Sequence, residues 1–235
     1  IMKPNEFRKY AHQFVDWMAD YMENVEQYPV KSQVEPKSIY NKIGEAIPEQ
    51  GESMDTIFED FENIIVPGLT HWQSPNFYAY FNSNTSPPSV LAEMLAMTTA
   101  IQGMKWETSP ASTELEDKMM KWLGDAIGIP ANWSGVIQDT ASTATLVSIL
   151  TAREQKTNFR VNEKGFYDMP KFRLYCSDQT HSSIEKGTKI AGLGKENVVK
   201  IPTDELLALR PDLLKNQIEN DLRNGFEPLC IVAAI

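Results

Sequence analysis

The sequence predicts an α/β fold with a mostly parallel sheet, preceded by an N-terminal helical segment. From Gly135 onward, short apolar runs alternate with stretches of helical spacing, and this pattern repeats to the end of the chain. Strands that are joined by helical crossovers pair in parallel, and unbroken apolar runs such as LCIVAAI are typical of strands covered on both faces. Before Gly135 the alternation is absent, and amphipathic spacing and proline-rich stretches indicate helices and connectors.

An amphipathic helix is expected over the first 25 residues, with Asn5 as a possible N-cap. Its apolar residues recur at three- and four-residue spacing and are Phe7, Tyr10, Ala11, Phe14, Val15, Met18 and Met22. The stretch from Tyr28 to Gly51 is rich in proline and mixed charge, which predicts an irregular connector. A second helix is expected at about Met54 to Ile65.

An aromatic loop is expected next, over residues 66–90. This segment holds five aromatic residues and four prolines, a composition that is incompatible with a helix. We expect it to line or close a site. Helices are then predicted at about Pro88 to Ala100 and Thr113 to Ile127, the second opened by a capping box of Thr113 and Glu116.

The region after Gly135 is expected to contain four strands with helices between them. The predicted strands are GVIQ, RLYCS, NVVKIP and LCIVAAI, and the intervening helices end near Arg153, Ala191 and Asn224. The residues that support these boundaries are Ser182 with Glu185 as a capping box, Pro211 and Gly225. Because LCIVAAI reaches the last residue without a returning helix, we expect the chain to be truncated relative to a longer protein.

Composition restricts the classes of function. With 42% apolar and 23% charged residues, the chain can bury a sizeable core. The formal charge of −10 argues against a nucleic-acid partner, because phosphate backbones are bound by clustered Lys and Arg. Cys176 and Cys230 lie in apolar runs rather than in disulfide or metal motifs, which favours a cytoplasmic protein. No apolar run approaches the roughly 20 residues of a membrane span, and no signal-peptide pattern is present.

Two strand-to-helix junctions carry the candidate chemistry, because ligands of open α/β sheets bind outside the carboxyl ends of the strands. At the first junction, GVIQ turns into a helix through DTASTAT. The unpaired N–H groups of a helix start, together with the hydroxyls of Thr140 and Ser142, suit a bound phosphate. Ordinary N-capping, which needs only one hydroxyl, is the alternative.

The second junction is RLYCSDQTHSS, where His181 precedes the next helix. A neutral imidazole there suits stacking on a flat heteroaromatic ligand, and its edge suits proton transfer. A surface or capping histidine is the alternative. His12 and His71 lie too far away in sequence to suggest a metal site. No dinucleotide-binding, Walker, nucleophile-elbow or C-x-x-C motif occurs, so the residues alone point to a phosphate-bearing cofactor and no further.

Four motifs carry a family resemblance. THWQSPNFYAYF, SPASTELE, GVIQDTASTATL and YCSDQTHSSIEK occur in order and at suitable separations, and they resemble the aromatic L-amino acid decarboxylases over about residues 6–235. The resemblance implies the aspartate aminotransferase-like fold (type I of the pyridoxal-phosphate enzymes), pyridoxal 5′-phosphate as the cofactor and a homodimer. It also implies an N-terminal segment, about residues 1–85, that wraps around the partner, and a first part of the cofactor-binding large domain over 86–235.

The resemblance further assigns site residues. It places Thr140, Ala141 and Ser142 on the cofactor phosphate and His181 on the pyridine ring, which are the two junctions found from the residues themselves. The positions that enclose the substrate side chain are Trp72, Tyr80, Phe81 and Ser83, together with Gln102 and Met104, which fall where the neighbouring subunit contributes apolar wall residues in relatives. The polar Gln102, together with Ser83 and Thr140, departs from the better-known animal enzymes, which puts the substrate preference in doubt.

The implied activity is decarboxylation of an aromatic L-amino acid to the aryl amine and carbon dioxide. The cofactor-binding lysine and the aspartate that pairs with the pyridine nitrogen are expected C-terminal to LCIVAAI, and Lys186, Lys189 and Lys195 are expected to be solvated. An aromatic aldehyde synthase, or a decarboxylase of another amino acid, is the alternative within the family. A non-catalytic fragment that dimerises or binds a metabolite is the alternative from a different class.

Overall fold

The computed structural model describes residues 2–82 and 85–233. The chain divides into two compact units, residues 1–101 and residues 102–235. The helices of the first unit are α1 (Pro4–Asn24), α2 (Ser38–Lys42), α3 (Met54–Asp60) and α4 (Pro87–Thr99). A π-helical turn, Phe61–Ile65, and a 3₁₀ turn, Val66–Gly68, extend α3, and another 3₁₀ turn, Val25–Gln27, follows α1. The predicted division at residue 85, with a partner-wrapping segment before it, stays a prediction.

The second unit contains the sheet. Its helices are α5 (Pro110–Ile127), α6 (Ala141–Thr157), α7 (Arg160–Lys164), α8 (Ser183–Ile190) and α9 (Pro211–Arg223). Its strands are β1 (Lys171–Ser177), β2 (Val198–Ile201) and β3 (Phe226–Val232), and a 3₁₀ turn, Lys195–Asn197, precedes β2. The order is β2-β1-β3 with both pairings parallel, which confirms the predicted parallel sheet. No helix in the described part of the chain is long and apolar enough to cross a membrane.

Helix α1 begins at Pro4, so the prediction of Asn5 as its cap was wrong. Proline suits the first helical position, where no N–H is needed for an intrahelical bond. The backbone N–H of Lys3 donates to the Glu6 carboxylate at 2.9 Å, and the Asn5 side chain instead accepts from Arg8 at 2.9 Å. The Glu6 carboxylate therefore caps the start of the helix from its first turn, which is a favourable position for negative charge.

The apolar stripe of α1 packs largely within its own unit. The ring of Phe14 stacks on that of Phe58 with centroids 4.8 Å apart, and Trp17 meets Phe61 edge-on at 5.0 Å. These contacts leave Phe14 half-buried without a second chain, while Val15 in the same stripe stays exposed. Phe7, at one end, stays exposed.

Strand β1 is the centre of the second unit. Leu174 and Cys176 point to one face of the sheet, where Ile149 of α6 and Ile184 of α8 complete a buried cluster. Tyr175 points to the other face and is fully buried. Its hydroxyl donates to Asp221 of α9 at 2.9 Å, and burial together with this hydrogen bond raises the pKa of the Tyr175 phenol well above its usual value.

The predicted strand GVIQ was wrong. Among the described residues no strand lies beside it, and Val136 and Ile137 are each 60% exposed. An apolar run forms a strand only where a neighbour supplies hydrogen-bond partners for its backbone. Here a side chain intervenes, because the N–H of Ile137 donates to the Glu116 carboxylate at 2.7 Å.

Both predicted capping boxes were also wrong. Helix α5 begins at Pro110, three residues before Thr113, and its cap is Ser109, whose hydroxyl accepts from the Ser112 N–H. The Glu116 carboxylate is used by Ile137 instead. At the start of α8, Ser182 makes no side-chain capping bond, and Glu185 pairs with lysines. Sequence spacing alone does not determine which of several hydroxyls caps a helix.

We expect Tyr175→Phe to destabilise the protein by about 1–3 kcal/mol, since it removes one of the two donors to a buried carboxylate. Gln217 would remain the other donor to Asp221, at 3.0 Å. The matched control is Tyr10→Phe, because the Tyr10 hydroxyl makes the same bond to Asp55, also at 2.9 Å, on the surface. Urea unfolding of both variants measures the difference, and equal losses would contradict the assigned role of burial.

Candidate functional site

The start of α6 presents unpaired backbone donors. Thr140 is its N-cap, and the Thr140 hydroxyl accepts from the Thr143 N–H at 3.1 Å. The N–H groups of Ala141 and Ser142 lie in the first turn, where a helix has no internal acceptors, and both residues are exposed. Because α6 is 17 residues long, this end also carries a partial positive charge. Thr140 is therefore an ordinary cap and, at the same time, part of a ready anion site.

His181 caps α8. Its Nδ1 accepts from the Ser183 N–H at 3.2 Å and lies 3.0 Å from the Ser183 hydroxyl. A ring nitrogen that accepts from a backbone N–H carries no proton, so the neutral ring holds its proton on Nε2. The cap thus fixes both the tautomer and the direction of the ring. The imidazole itself is exposed, with its Nε2–H free to face a ligand.

The two junctions lie at the same end of two packed helices. A Cβ built on Gly187 would meet Ile149 Cδ1 at 3.1 Å and the Leu146 Cα at 3.6 Å, so α8 lies close against α6. Gly187 lies four residues, or roughly 6 Å, into α8, and Leu146 and Ile149 lie five and eight residues, or roughly 7.5–12 Å, into α6. Further along, Arg153 of α6 donates to the Ala191 carbonyl at the end of α8 at 2.7 Å, so the two helices run in the same direction. Thr140 to Ser142 and His181 are therefore brought to one region.

A groove of about 380 Å³ adjoins this region. It lies between the first turns of α6 and the carboxyl end of β3, and its lining residues are Ala144, Thr145, Ser148, Ile149, Cys230, Ile231, Val232 and Ala233. Burial, together with the nearby Cys176, raises the pKa of the Cys230 thiol to about 11, so this thiol is neutral. The surroundings fit a phosphate-bearing cofactor: backbone donors and hydroxyls at the helix start, small side chains behind them and a flat imidazole at the next junction.

The aromatic loop of the first unit forms a small ring stack. Trp72 stacks on Phe77 at 4.7 Å and on Tyr80 at 5.6 Å. Tyr80 is 87% exposed and holds a left-handed backbone with φ 59°, and Phe81 is fully exposed. The predicted Ser83 lies outside the described residues. Loop hydrogen bonds also run from Asn82 Nδ2 to the Trp72 carbonyl at 3.2 Å.

Gln102 and Met104 belong to the second unit, in the segment before α5. The Gln102 carbonyl accepts from the Thr108 hydroxyl at 2.7 Å, which turns the segment back on itself. The Met104 side chain is exposed. In the same segment Trp106 Nε1 donates to Glu114 at 2.8 Å.

The lysines after His181 are solvated, as expected. Lys189 and Lys195 both pair with Glu185, at 3.6 and 3.5 Å, and Lys186 is exposed. Among the described residues no cluster of side chains could hold a metal ion.

Sequence reasoning missed His71. Its side chain is only 3% exposed, and its Nδ1 lies 2.7 Å from the Tyr21 hydroxyl. Burial lowers the pKa of the His71 imidazole below its ordinary value. The signal was present in the sequence as a histidine beside Trp72, but burial depends on Tyr21, which is 50 residues away.

Comparison with known proteins identifies the class. The family model "Pyridoxal-dependent decarboxylase conserved domain" matches residues 36–235, and the chain belongs to this family. The family is pyridoxal-dependent, so pyridoxal phosphate is the cofactor, as the resemblance implied.

Two named relatives show which kinds of enzyme this chain resembles. The chain is 39% identical to a tyrosine decarboxylase of Papaver somniferum over 246 residues, which covers 100% of this chain and 47% of the relative. It is 39% identical to a phenylacetaldehyde synthase of Petunia hybrida over 243 residues, with the same coverage of both chains. The chain therefore spans about half the length of the curated relatives that it matches.

A solved structure confirms the fold. The crystal structure of Catharanthus roseus tryptophan decarboxylase in complex with L-tryptophan superposes with a TM-score of 0.89 at 39% identity, over 98% of this chain and 49% of that one. The predicted aspartate aminotransferase-like fold is thereby confirmed. The helices and parallel strands described above are its N-terminal part.

The burial of His71 predicts a pH dependence of stability. Since the folded pKa is lower than the ordinary value of about 6.5, the unfolded chain binds more protons, and stability falls as pH drops through that value. The free energy of unfolding should fall between about pH 7.5 and about pH 5.5, and we expect this fall to be smaller in His71→Gln, whose amide does not titrate. Urea unfolding at both pH values measures it. The control is His12→Gln at an exposed position of α1. An unchanged loss in His71→Gln would contradict the prediction.

Proposed function

We propose that the full-length protein containing this chain decarboxylates an aromatic L-amino acid, releasing carbon dioxide and the aryl amine. The observation that carries the proposal is the match of the whole chain to enzymes named for aromatic substrates, at 39% identity. The exposed stack of Trp72 and Tyr80 supports it, because flat rings suit an aromatic side chain.

The start of α6 would hold the cofactor phosphate. The Ala141 and Ser142 N–H groups and the hydroxyls of Thr140 and Ser142 are the donors, and the positive end of α6 adds a favourable field. When bound, pyridoxal phosphate supplies an electron sink for the electron pair that the departing carboxylate leaves behind. The protein's own contribution is to position the ring and to manage protons.

His181 would both position the cofactor ring and transfer protons. Its flat ring is held by the bond from the Ser183 N–H, so a stacking partner meets a fixed surface. With Nδ1 engaged, Nε2–H is the edge that can donate a hydrogen bond or a proton. A free surface histidine would have neither its orientation nor its tautomer defined.

The aromatic side chain of the substrate would contact a set of aromatic and apolar residues with two polar members. We propose Trp72, Tyr80, Phe81, Ser83, Gln102 and Met104 for this role. The exposed rings and the Met104 thioether offer apolar surface. The polar Gln102 favours a substrate that carries a hydrogen-bonding group on its ring.

An aromatic aldehyde synthase is the second candidate. It is favoured by the phenylacetaldehyde synthase of Petunia hybrida, which is as similar to this chain as the tyrosine decarboxylase is. Such an enzyme also releases carbon dioxide, but it consumes oxygen and water and releases aldehyde, ammonia and hydrogen peroxide in place of the amine. The products therefore separate the two candidates.

We also propose a cytoplasmic homodimer whose residues 1–85 wrap around the partner. Phe7, Val15 and Met22 of the α1 stripe stay exposed, and a partner would cover them. Cys176 and Cys230 are both free thiols, which supports a reducing compartment.

We expect the purified full-length protein with added pyridoxal phosphate to form tyramine, tryptamine or dopamine from the parent amino acid. Amine is measured by chromatography beside carbon dioxide, ammonia and hydrogen peroxide. Stoichiometric peroxide and ammonia without amine would select the aldehyde synthase. Absence of carbon dioxide from all three substrates, together with absence of the visible absorbance of bound cofactor, would select a non-catalytic protein.

Variants of His181 separate its capping role from its chemical role. His181→Asn keeps a side-chain acceptor for the Ser183 N–H but loses the ring, so we expect stability near wild type and a loss in kcat of roughly 10²–10⁴-fold. His181→Phe keeps a flat ring without the proton-bearing edge, so it should retain more cofactor than His181→Asn while staying nearly inactive. Steady-state kinetics at saturating cofactor and thermal melting measure these effects. A near wild-type kcat in His181→Asn would make the histidine a cap alone.

A further inference from the structure

The buried histidine of the aromatic loop is tied to the helical unit on two sides. Its Nδ1 lies 2.7 Å from the Tyr21 hydroxyl of α1, and its backbone N–H donates to the Val30 carbonyl at 2.9 Å. Its ring also contacts the rings of Tyr21 and Tyr28, with centroids 5.6 and 4.7 Å away. His71 is thus the point at which the loop joins the core of its unit.

Hydrogen bonds of the loop beyond His71 run between residues of the same segment, as in the bonds from Asn82 to the Trp72 carbonyl and from the Thr85 N–H to Gln73. The Ser74 N–H donates to the His71 carbonyl at 3.0 Å, and Ser74 is buried, so the turn 71–74 has a buried side. Trp72 lies on the other side of that turn and carries the exposed stack with Tyr80. Residues 71–82 contain no helix or strand, so no hydrogen-bonded ladder holds them.

From this geometry we propose that His71 is a positioning residue, held by the Tyr21 hydroxyl, that sets the place of Trp72 and thereby tunes affinity for the aromatic side chain of the substrate. The effect on substrate affinity rests on the proposed function. His71 itself touches no substrate: it acts through its neighbour in the chain. Loss of one such hydrogen bond shifts a local opening equilibrium roughly three- to tenfold.

The chain offers a matched pair of variants. Tyr21→Phe removes the hydroxyl that bonds His71 but keeps the ring. Tyr28→Phe removes a hydroxyl that has no hydrogen-bond partner among the described residues, from a ring at similar distance from His71. Both tyrosines are half-buried, so the two changes delete the same atom from similar surroundings.

The test uses the full-length protein with pyridoxal phosphate bound. Hydrogen–deuterium exchange, followed by mass spectrometry, reports opening of residues 71–82, and steady-state kinetics report KM and kcat for the preferred aromatic amino acid. In Tyr21→Phe we expect exchange in this loop to quicken and KM to rise, each by roughly three- to tenfold, with kcat changed less than twofold. Tyr28→Phe should match wild type in all three, and the visible absorbance of the cofactor should be unchanged in both.

Three results would overturn the proposal. Unchanged loop exchange in Tyr21→Phe would show that the hydroxyl does not hold the loop, and equal effects of both variants would make the rings the anchor. Faster exchange with an unchanged KM would show that the loop does not set substrate affinity. If the wild-type protein forms no amine, the proposed function is wrong, and so is the claim that His71 tunes substrate affinity. The exchange comparison still decides whether Tyr21 and His71 hold the loop.

Discussion

The close contact of α6 with α8 is the constraint on which the candidate cofactor site depends. Gly187 leaves the space that a side chain would take from Ile149 and Leu146, and the two helices approach within reach of each other's backbone. Because the two helices run in the same direction, the first turn of α6 and the capping histidine fall at one end of the pair. Strand β1 feeds α8 from the centre of the sheet, so the same burial that stabilises the fold also fixes where His181 emerges.

Much of this arrangement follows from sequence pattern. Apolar runs and helical spacing are local, and they located three strands and most helices to within a few residues. Two of the failures involve partners that are distant in sequence. GVIQ has strand composition, but the described residues give it no neighbouring strand. Glu116 has capping-box spacing but binds the N–H of Ile137, 21 residues away.

The same contrast between local sequence features and distant partners applies to the candidate site. Thr140, Ser142 and His181 were predicted as site residues because each follows an apolar run, a feature that the sequence displays directly. The capping interpretation is confirmed for Thr140 and His181, and their cofactor roles stay a proposal with which the capping bonds are compatible. His71 was overlooked because its significance depends on Tyr21 and on burial, neither of which is visible in the residues around it.

The exposure of the aromatic loop has a consequence for how this family diversifies. Trp72, Tyr80 and Phe81 contribute little to the buried clusters that hold the units together, and substitutions at exposed positions typically change stability by no more than about 0.5 kcal/mol. Mutations of these residues are therefore only weakly constrained by the need to keep the protein stably folded. Under the proposed substrate role of these rings, substrate preference can drift while the scaffold stays intact, which accords with relatives of this chain that are named for tyrosine in one plant and tryptophan in another.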